Sequence, residues 1–296
     1  MALTLALDIG GTKIAAGLVA ADGTIMHHEK LPTPHGDAEA AWAVVAQLTT
    51  RALAATADEV GGVGVASAGP IDLSAGTISP INIAVWQQFP IVERVARATG
   101  LPVRLGGDGL CMALGESRHG AGMGAQFMLG MVVSTGIGGG LVLDGAPYDG
   151  RTGNAGHVGH VVVAPDGDPC TCGGRGCVET IASGPAMVRF ARRNGWGGTD
   201  AKALADAALA GEKTASEAFR RGGRALAATI ASVGAVCDLD LVVIGGGVAQ
   251  SGELLFAPIR EALAGYAGLA FLRELRVVPA ELGGDAGLVG AAALAR

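Results

Sequence analysis

Between Gly153 and Glu179 the chain runs GNAGHVGHVVVAPDGDPCTCGGRGCVE, and this glycine-broken stretch holds five soft metal donors: His157, His160, Cys170, Cys172 and Cys177. Zinc takes four ligands from thiolates and imidazoles, and a Cys-x-Cys pair followed five residues later by a third Cys lets a short loop wrap a tetrahedral ion. The alternative, three buried or redox-active cysteines, leaves unexplained why three of the chain's five cysteines gather between turn-forming glycines. One structural Zn²⁺ is expected. Five donors for four seats leave one histidine over. The run HVVVA reads as a strand, on which residues three apart point to opposite sides. His160 is therefore assigned to zinc with Cys170, Cys172 and Cys177, and His157 is left for other chemistry.

Half of the 296 residues are hydrophobic and only 16% are charged, enough to bury a large core in two domains of roughly 100–200 residues each. The expected division is residues 1–117 and 118–296, with the terminal helix 286–296 free to pack back on the first domain. A net charge of −6, with no basic run longer than Arg192-Arg193 or Arg220-Arg221, argues against nucleic acid as a partner. No apolar run reaches the roughly 18–20 residues that cross a bilayer, and no basic segment precedes an apolar one at the N-terminus. A cytoplasmic protein with no membrane partner is expected. Cys111 and Cys237, isolated among apolar residues, fit a reducing compartment.

Along the chain, apolar runs and glycine turns alternate. Leu3 to Leu7 and Ile14 to Val19 read as a hairpin around Asp8-Ile9-Gly10-Gly11-Thr12-Lys13. Ala38 to Ala57 carries apolar residues at helical spacing, Val63 to Ala66 is a short buried strand, and Ile91 to Ala98 is helical. Pro102 to Leu105 is a strand running into Gly106-Gly107-Asp108-Gly109, before a helix over Leu110 to Arg118. Phe127 to Val133 and Leu141 to Leu143 are strands joined by the loop Ser134 to Gly140. Helices dominate Glu179 to Val236, among them Ala215 to Val236 with its apolar stripe. Leu241 to Ile244 and Leu275 to Val278 are further strands, and a helix starts at Ala286. A strand followed by a glycine loop thus occurs twice, as DIGGT and STGIGGG, each opening a β-rich half. An internal duplication of α/β domains that face a cleft is the natural inference.

Both loops suit phosphate. Gly10, Gly11 and Thr12, like Thr135, Gly136 and Gly138, offer backbone N–H groups without side-chain obstruction, plus a hydroxyl, and Gly245-Gly246-Gly247 adds a third glycine turn. Asp8 would repel a phosphate unless Mg²⁺ intervened through its carboxylate and water. No Gly-x-x-x-x-Gly-Lys-Ser/Thr occurs, so the loops are not of the Walker type. Asp108, at a strand end between glycines, is the best candidate for a catalytic base. The competing reading is an ordinary helix N-cap.

Taken together, DIGGTKI, STGIGGG, GHVGH with CTCGGRGCVE, and GGDAGLVGAA resemble the ROK family of sugar kinases and sugar-responsive repressors over essentially the whole chain. The resemblance implies the duplicated α/β fold of the hexokinase–actin, ribonuclease H-like type, with ATP and Mg²⁺ as co-substrates, a structural Zn²⁺, and phosphoryl transfer to the exocyclic hydroxyl of a hexose. It implies Asp108 as general base, Asp8 and Gly10 to Lys13 with Thr135-Gly136 at the phosphates, and Gly245-Gly246 in the adenosine wall. Asn82, Gly107, Asp108, His157, His160 and Glu179 are implied at the sugar. His157 stands where most relatives have Glu, and Gly107-Asp108 where they have Asn-Asp, which makes plain glucose specificity less expected. AGHVGH, LPTP and GCVETIASG are similar to the bacterial N-acetylmannosamine kinases of the family, whereas Gly107 departs from them, since they generally keep the asparagine, a loss that costs sugar affinity or leaves space for a bulkier ligand or a water. The 6-hydroxyl of that sugar is the expected acceptor, with glucose, N-acetylglucosamine or another sugar as alternatives. A non-catalytic sugar binder is the alternative from another class. With seven residues before Asp8, the winged helix of the repressors is not expected. A homodimer or homotetramer is expected only by analogy with relatives.

Overall fold

In the computed structural model, which describes residues 2–296, Leu3–Ile9 (β1) is apolar at almost every position and buried on both faces, as a central strand must be. It turns back through Gly10 to Thr12 into Lys13–Val19 (β2), which pairs antiparallel with Ile14 opposite Ile9. Ile25–Pro32 (β3) follows an Asp22-Gly23 turn in which Gly23 takes φ +85°. Next come the helix Ala38–Ala54 (α1), capped by the Asp37 carboxylate on the Glu39 N–H, and Val60–Ser67 (β4). The short pair Ile71–Asp72 (β5) and Thr77–Ile78 (β6), the helix Ile91–Thr99 (α2), Val103–Gly107 (β7) and the helix Asp108–His119 (α3) complete the first half. The sheet order is β3-β2-β1-β4-β7, with β4 parallel to both β1 and β7.

Phe127–Val133 (β8), Ile137–Leu143 (β9) and Ala146–Tyr148 (β10) open the second half. Four helices follow, Glu179–Ala182 (α4), Gly184–Arg193 (α5), Ala201–Leu209 (α6) and Lys213–Cys237 (α7), then Leu241–Gly245 (β11), the helix Glu253–Tyr266 (α8) and Arg276–Pro279 (β12). This sheet has the order β10-β9-β8-β11-β12, with β11 parallel to both β8 and β12. Strand for strand it repeats the first. The fold is thus a duplicated α/β pattern in two domains.

Two compact units result. One holds the residues up to Gly124, Gly140–Gly156 and Gly284–Arg296, and the other holds Ala125–Gly139 and His157–Gly283. In the first unit one face of the sheet packs Leu5, Leu7 and Ile9 against Val45, Leu48 and Trp86. Trp86 stacks on Phe89 at 4.3 Å and donates its indole N–H to the Ala38 carbonyl at 3.1 Å. The opposite face is built of small residues, Ala6, Ala15 and Ala66, which meet Leu288, Ala291 and Ala292 of the last helix, Ala286–Leu294 (α9). A side chain at Gly64 would overlap the Ala291 carbonyl, and one at Gly290 would overlap that of Cys111, so α9 seats only because these positions carry none. Arg296 then donates to the carbonyls of Val19, Ala20 and Ala21 and to the Thr4 hydroxyl.

Besides the short strands β5, β6 and β10 and the helix α8, which the sequence reading did not name, three departures bear on the site. β3 escaped notice because its residues MHHEK are polar, yet it alternates between half-buried and exposed positions as the edge of its sheet. The loop expected over Ser134 to Gly140 is shorter, since β9 already begins at Ile137. Its last glycine is there for close approach, because a Cβ on Gly140 would overlap the Leu110 backbone. The strand expected over HVVVA, His160 to Ala164, does not form: Val158–His160 makes a 3-10 turn, followed by an isolated bridge of Val162 to Cys177. Gly159 packs against the Ile137 carbonyl there, which holds the chain in the turn. Residues three apart eclipse in such a turn. His157 and His160 consequently lie on one side, with ring centroids 6.4 Å apart and planes 25° off parallel, and the expectation that they diverge is corrected.

Candidate active site

In the first unit the paired strands end level with one another. Asp8 of β1 is opposite Ala66 of β4, and Ala66 is opposite Gly106 of β7, so Asp8 and the Gly107-Asp108 pair emerge at the same C-terminal edge. That edge is where open α/β sheets bind ligands. Asp108 is the first residue of α3 and is exposed; the cap position belongs to Gly107, and no side chain caps this helix end. The N-cap reading of Asp108 is therefore set aside. Its carboxylate accepts a local bond from the Gly109 N–H at 2.7 Å, and it sits in the first turn, where a negative charge is favoured. A Cβ on Gly107 would meet nothing within 4 Å, so open space lies beside the carboxylate.

Beyond Asp8 the turn is held by its carbonyls. Gly10 donates to the Lys13 carbonyl at 3.0 Å, the Thr33 hydroxyl donates to the Gly10 carbonyl at 2.7 Å, and the Thr33 N–H donates to Thr12. Among the described residues the N–H groups of Gly11 and Thr12 have no such partner, which leaves them to an anion. Thr12 and Lys13 are exposed beside them. Asn82 lies across this turn: a Cβ on Gly11 would come within 2.6 Å of its side chain, so Gly11 is required by that contact.

Burial, reinforced by Asp108 and opposed by Lys13, raises the Asp8 carboxyl from 3.8 to about 6. Gly287 at the start of α9 closes over it, its Cβ position 3.1 Å from Asp8 Oδ2. An acid whose pKa is higher folded than unfolded loses stability on ionising. The penalty is absent below about 3.8, grows through the window up to about 6, and is complete above it. Asp8→Asn is expected to stabilise the protein at pH 7.5 by on the order of 1–3 kcal/mol, with no gain at pH 3.5. Thermal melts of both proteins across that range check this, and a gain independent of pH would refute it.

In the second unit Thr135 and Gly136 form the turn between β8 and β9, closed by a Ser134 N–H bond to the Gly136 carbonyl at 2.9 Å. Glu179, the first residue of α4, accepts from the Ile137 N–H at 2.8 Å, and its carboxylate stands 2.8 Å from where a Gly136 Cβ would be. The carboxylate expected at the sugar is thus also what sets the second glycine turn. Gly138 lies within β9, open on its Cβ side. Gly245 ends β11 opposite Val132, and Gly246, at φ +94°, packs against the Val133 carbonyl. A cavity of about 730 Å³ opens here, lined by Ser134, Thr135, Gly184, Lys202, Phe219 and Gly247. Sequence reasoning missed the α5 and α6 contributions to it. Ser183, whose hydroxyl caps α5 just before Gly184, is the signal that could have found them.

A ring nitrogen of His160 and the Sγ atoms of Cys170, Cys172 and Cys177 lie within 4.8 Å of one another. Cys172 and Cys177 are 3.8 Å apart, and Cys170 is 3.7 Å from His160 Nδ1. A disulfide needs about 2.05 Å, whereas two thiolates about 2.3 Å from a tetrahedral zinc stand about 3.8 Å apart. The donor set and spacing fit zinc. His157, exposed at the start of the 3-10 turn, is outside this group.

The family model for the ROK family matches residues 4–296. This chain belongs to the ROK family. It is 35% identical to a glucokinase of Thermotoga maritima, over 98% of this chain and 96% of that one, and 38% identical to an N-acetylmannosamine kinase of Escherichia fergusonii, over 99% and 98%. Among solved structures, a ROK family glucokinase from Streptomyces griseus in complex with glucose and AMPPNP superposes with a TM-score of 0.85 at 36% identity, each chain covered to 99%. The ROK protein described here is a sugar kinase with the two-domain α/β fold of those enzymes. None of its described helices is long and apolar enough to cross a membrane.

Proposed function

We propose that this ROK kinase transfers the γ-phosphoryl group of ATP to the 6-hydroxyl of N-acetylmannosamine. The observation that carries the reading is Asp108, an exposed carboxylate at a strand-to-helix junction with no capping role and open space at Gly107 beside it. As the sugar oxygen bonds to the γ-phosphorus and the bond to ADP breaks, Asp108 takes the hydroxyl proton. The N–H groups of Gly11, Thr12, Thr135 and Gly136 receive phosphate oxygens, and the cavity beside Thr135 receives the nucleoside. Glu179 and His160 position the ring, joined by His157 and Asn82.

Asp8 fits a divalent cation, because a carboxylate withdrawn from water beside a second carboxylate is relieved by one. It would hold Mg²⁺ through water, and the ion would neutralise triphosphate charge. His160, Cys170, Cys172 and Cys177 would hold Zn²⁺ as a structural brace.

The N-acetylmannosamine acceptor is supported by the 38% identity to a kinase of that name, over 98% of its length; Gly107 departs from those enzymes, and the open space beside it leaves room for a bulkier ligand or a water. Glucose is the second reading, favoured by the 36% identity to a kinase solved with that sugar. Specificity is a ratio of kcat/KM values. Measured by ADP release, the ratio of N-acetylmannosamine to glucose is expected to exceed tenfold; a ratio inverted in favour of glucose would overturn the acceptor while leaving the kinase intact.

A further inference from the structure

Behind the zinc loop, a recess in the second unit gathers three guanidinium groups around a single carboxylate. Arg189 and Arg193 project from α5 and Arg221 from α7, and the wall is completed by Asp168, Thr180 and Phe190. Arg189 and Arg193 are four residues apart on one helix, a spacing at which like charges repel. Only Asp168 answers them, through an ion pair to Arg193 at 3.4 Å, with both side chains more than half exposed.

Arg221 is the least solvated of the three. Its guanidinium lies over the Phe190 ring at 4.9 Å, so its flat face is used while its N–H edge is not. Among the described residues neither Arg221 nor Arg189 makes a hydrogen bond or an ion pair. Burial lowers the Arg221 pKa, Asp168 opposes the shift and Arg193 adds to it. A half-buried guanidinium with idle donors, facing two more of the same sign, is a costly arrangement for a chain that carries six net negative charges.

We propose that this recess is an anion site that takes orthophosphate or the phosphate head of a monoester, separate from the glycine turns that serve the reaction. A tetrahedral anion matches the fork of Arg221 and the converging Arg189 and Arg193, as guanidinium–phosphate pairing requires. The size agrees. The recess measures about 30 Å³, room for a small head group and not for a ring or a base, so any ester substituent stays outside. Its walls also name a consequence. Asp168 lies two residues before Cys170, and Thr180 directly follows Glu179, so an anion here ties the zinc loop to α4, whose Glu179 carboxylate sets the second glycine turn.

Isothermal titration of the full-length, zinc-loaded protein with inorganic phosphate tests the site, at constant ionic strength and with a non-hydrolysable ATP analogue saturating the donor site. One phosphate per chain is expected to bind. Arg221→Gln and Arg193→Gln should each weaken it at least tenfold, while Asp168→Asn, which removes the competing carboxylate, should tighten it several-fold. The opposite signs separate a lost ligand contact from a damaged fold. Absence of phosphate binding to the wild-type protein at millimolar concentrations, or equal affinity in all four proteins, would overturn the proposal.

Discussion

Asp108→Asn is expected to lower kcat for sugar phosphorylation by about 10²–10⁴-fold while the melting temperature changes little. The substitution keeps the shape of the side chain and removes only its capacity to accept a proton. Stability should survive because Asp108 is exposed, no side chain caps this helix end, and the Asn side chain keeps an oxygen that can accept from the Gly109 N–H. A second effect travels with the first. The Asp108 charge helps to raise the Asp8 carboxyl to about 6, so Asp8 in the variant should titrate closer to an ordinary aspartate. Steady-state ADP release measures the first effect, and carboxyl titration by NMR the second. Turnover within tenfold of the wild-type value would remove Asp108 from the chemistry.

The other large effect concerns the metal. Cys177→Ser, or exhaustive chelation, is expected to abolish one equivalent of bound zinc and lower the melting temperature by roughly 10 °C or more, since structural zinc binding is itself folding free energy of many kcal/mol. No helix or strand holds the loop from Cys170 to Cys177. Its backbone bonds are turns, such as Cys170 N–H to the Gly174 carbonyl, and the isolated bridges Pro169–Arg175 and Val162–Cys177, and Cys172 is exposed. Activity should fall in parallel, because Glu179 begins a helix of four residues only two positions after Cys177. Cys237→Ser, at a half-buried cysteine away from the cluster, serves as the control and should keep its zinc. Elemental analysis and calorimetry together decide the matter. A zinc-free preparation with unchanged melting and turnover would refute the structural role.

Apolar strands and cysteine spacing were legible because each rests on a local rule. β1, β4 and β11 are short apolar runs closed by small or glycine residues, and their limits differ from the sequence reading by a few residues. That His160, Cys170, Cys172 and Cys177 gather was legible because ligand chemistry restricts such donors more than conformation does. What could not be seen depends on distant chain. The polar edge strand β3 exists because β2 offers it a ladder, and the 3-10 turn at Val158 exists because the Ile137 carbonyl approaches Gly159. The same holds for the contact of Asn82 with Gly11 and for Gly287 over Asp8, each joining residues more than 70 positions apart. Glycine was the ambiguous letter throughout. In Gly10-Gly11-Thr12 it makes a turn, whereas in Gly64, Gly140 and Gly290 it makes room for another backbone.

The placement of α9 has a consequence for how the molecule is made. This helix, which packs on β1, β2, β4 and α3, leaves the ribosome about 160 residues after Gly124. At about 5–20 residues per second, the nascent first sheet waits roughly ten to thirty seconds with its alanine-lined face unclosed. Of the two halves, the one translated earlier is the one whose sheet is closed later.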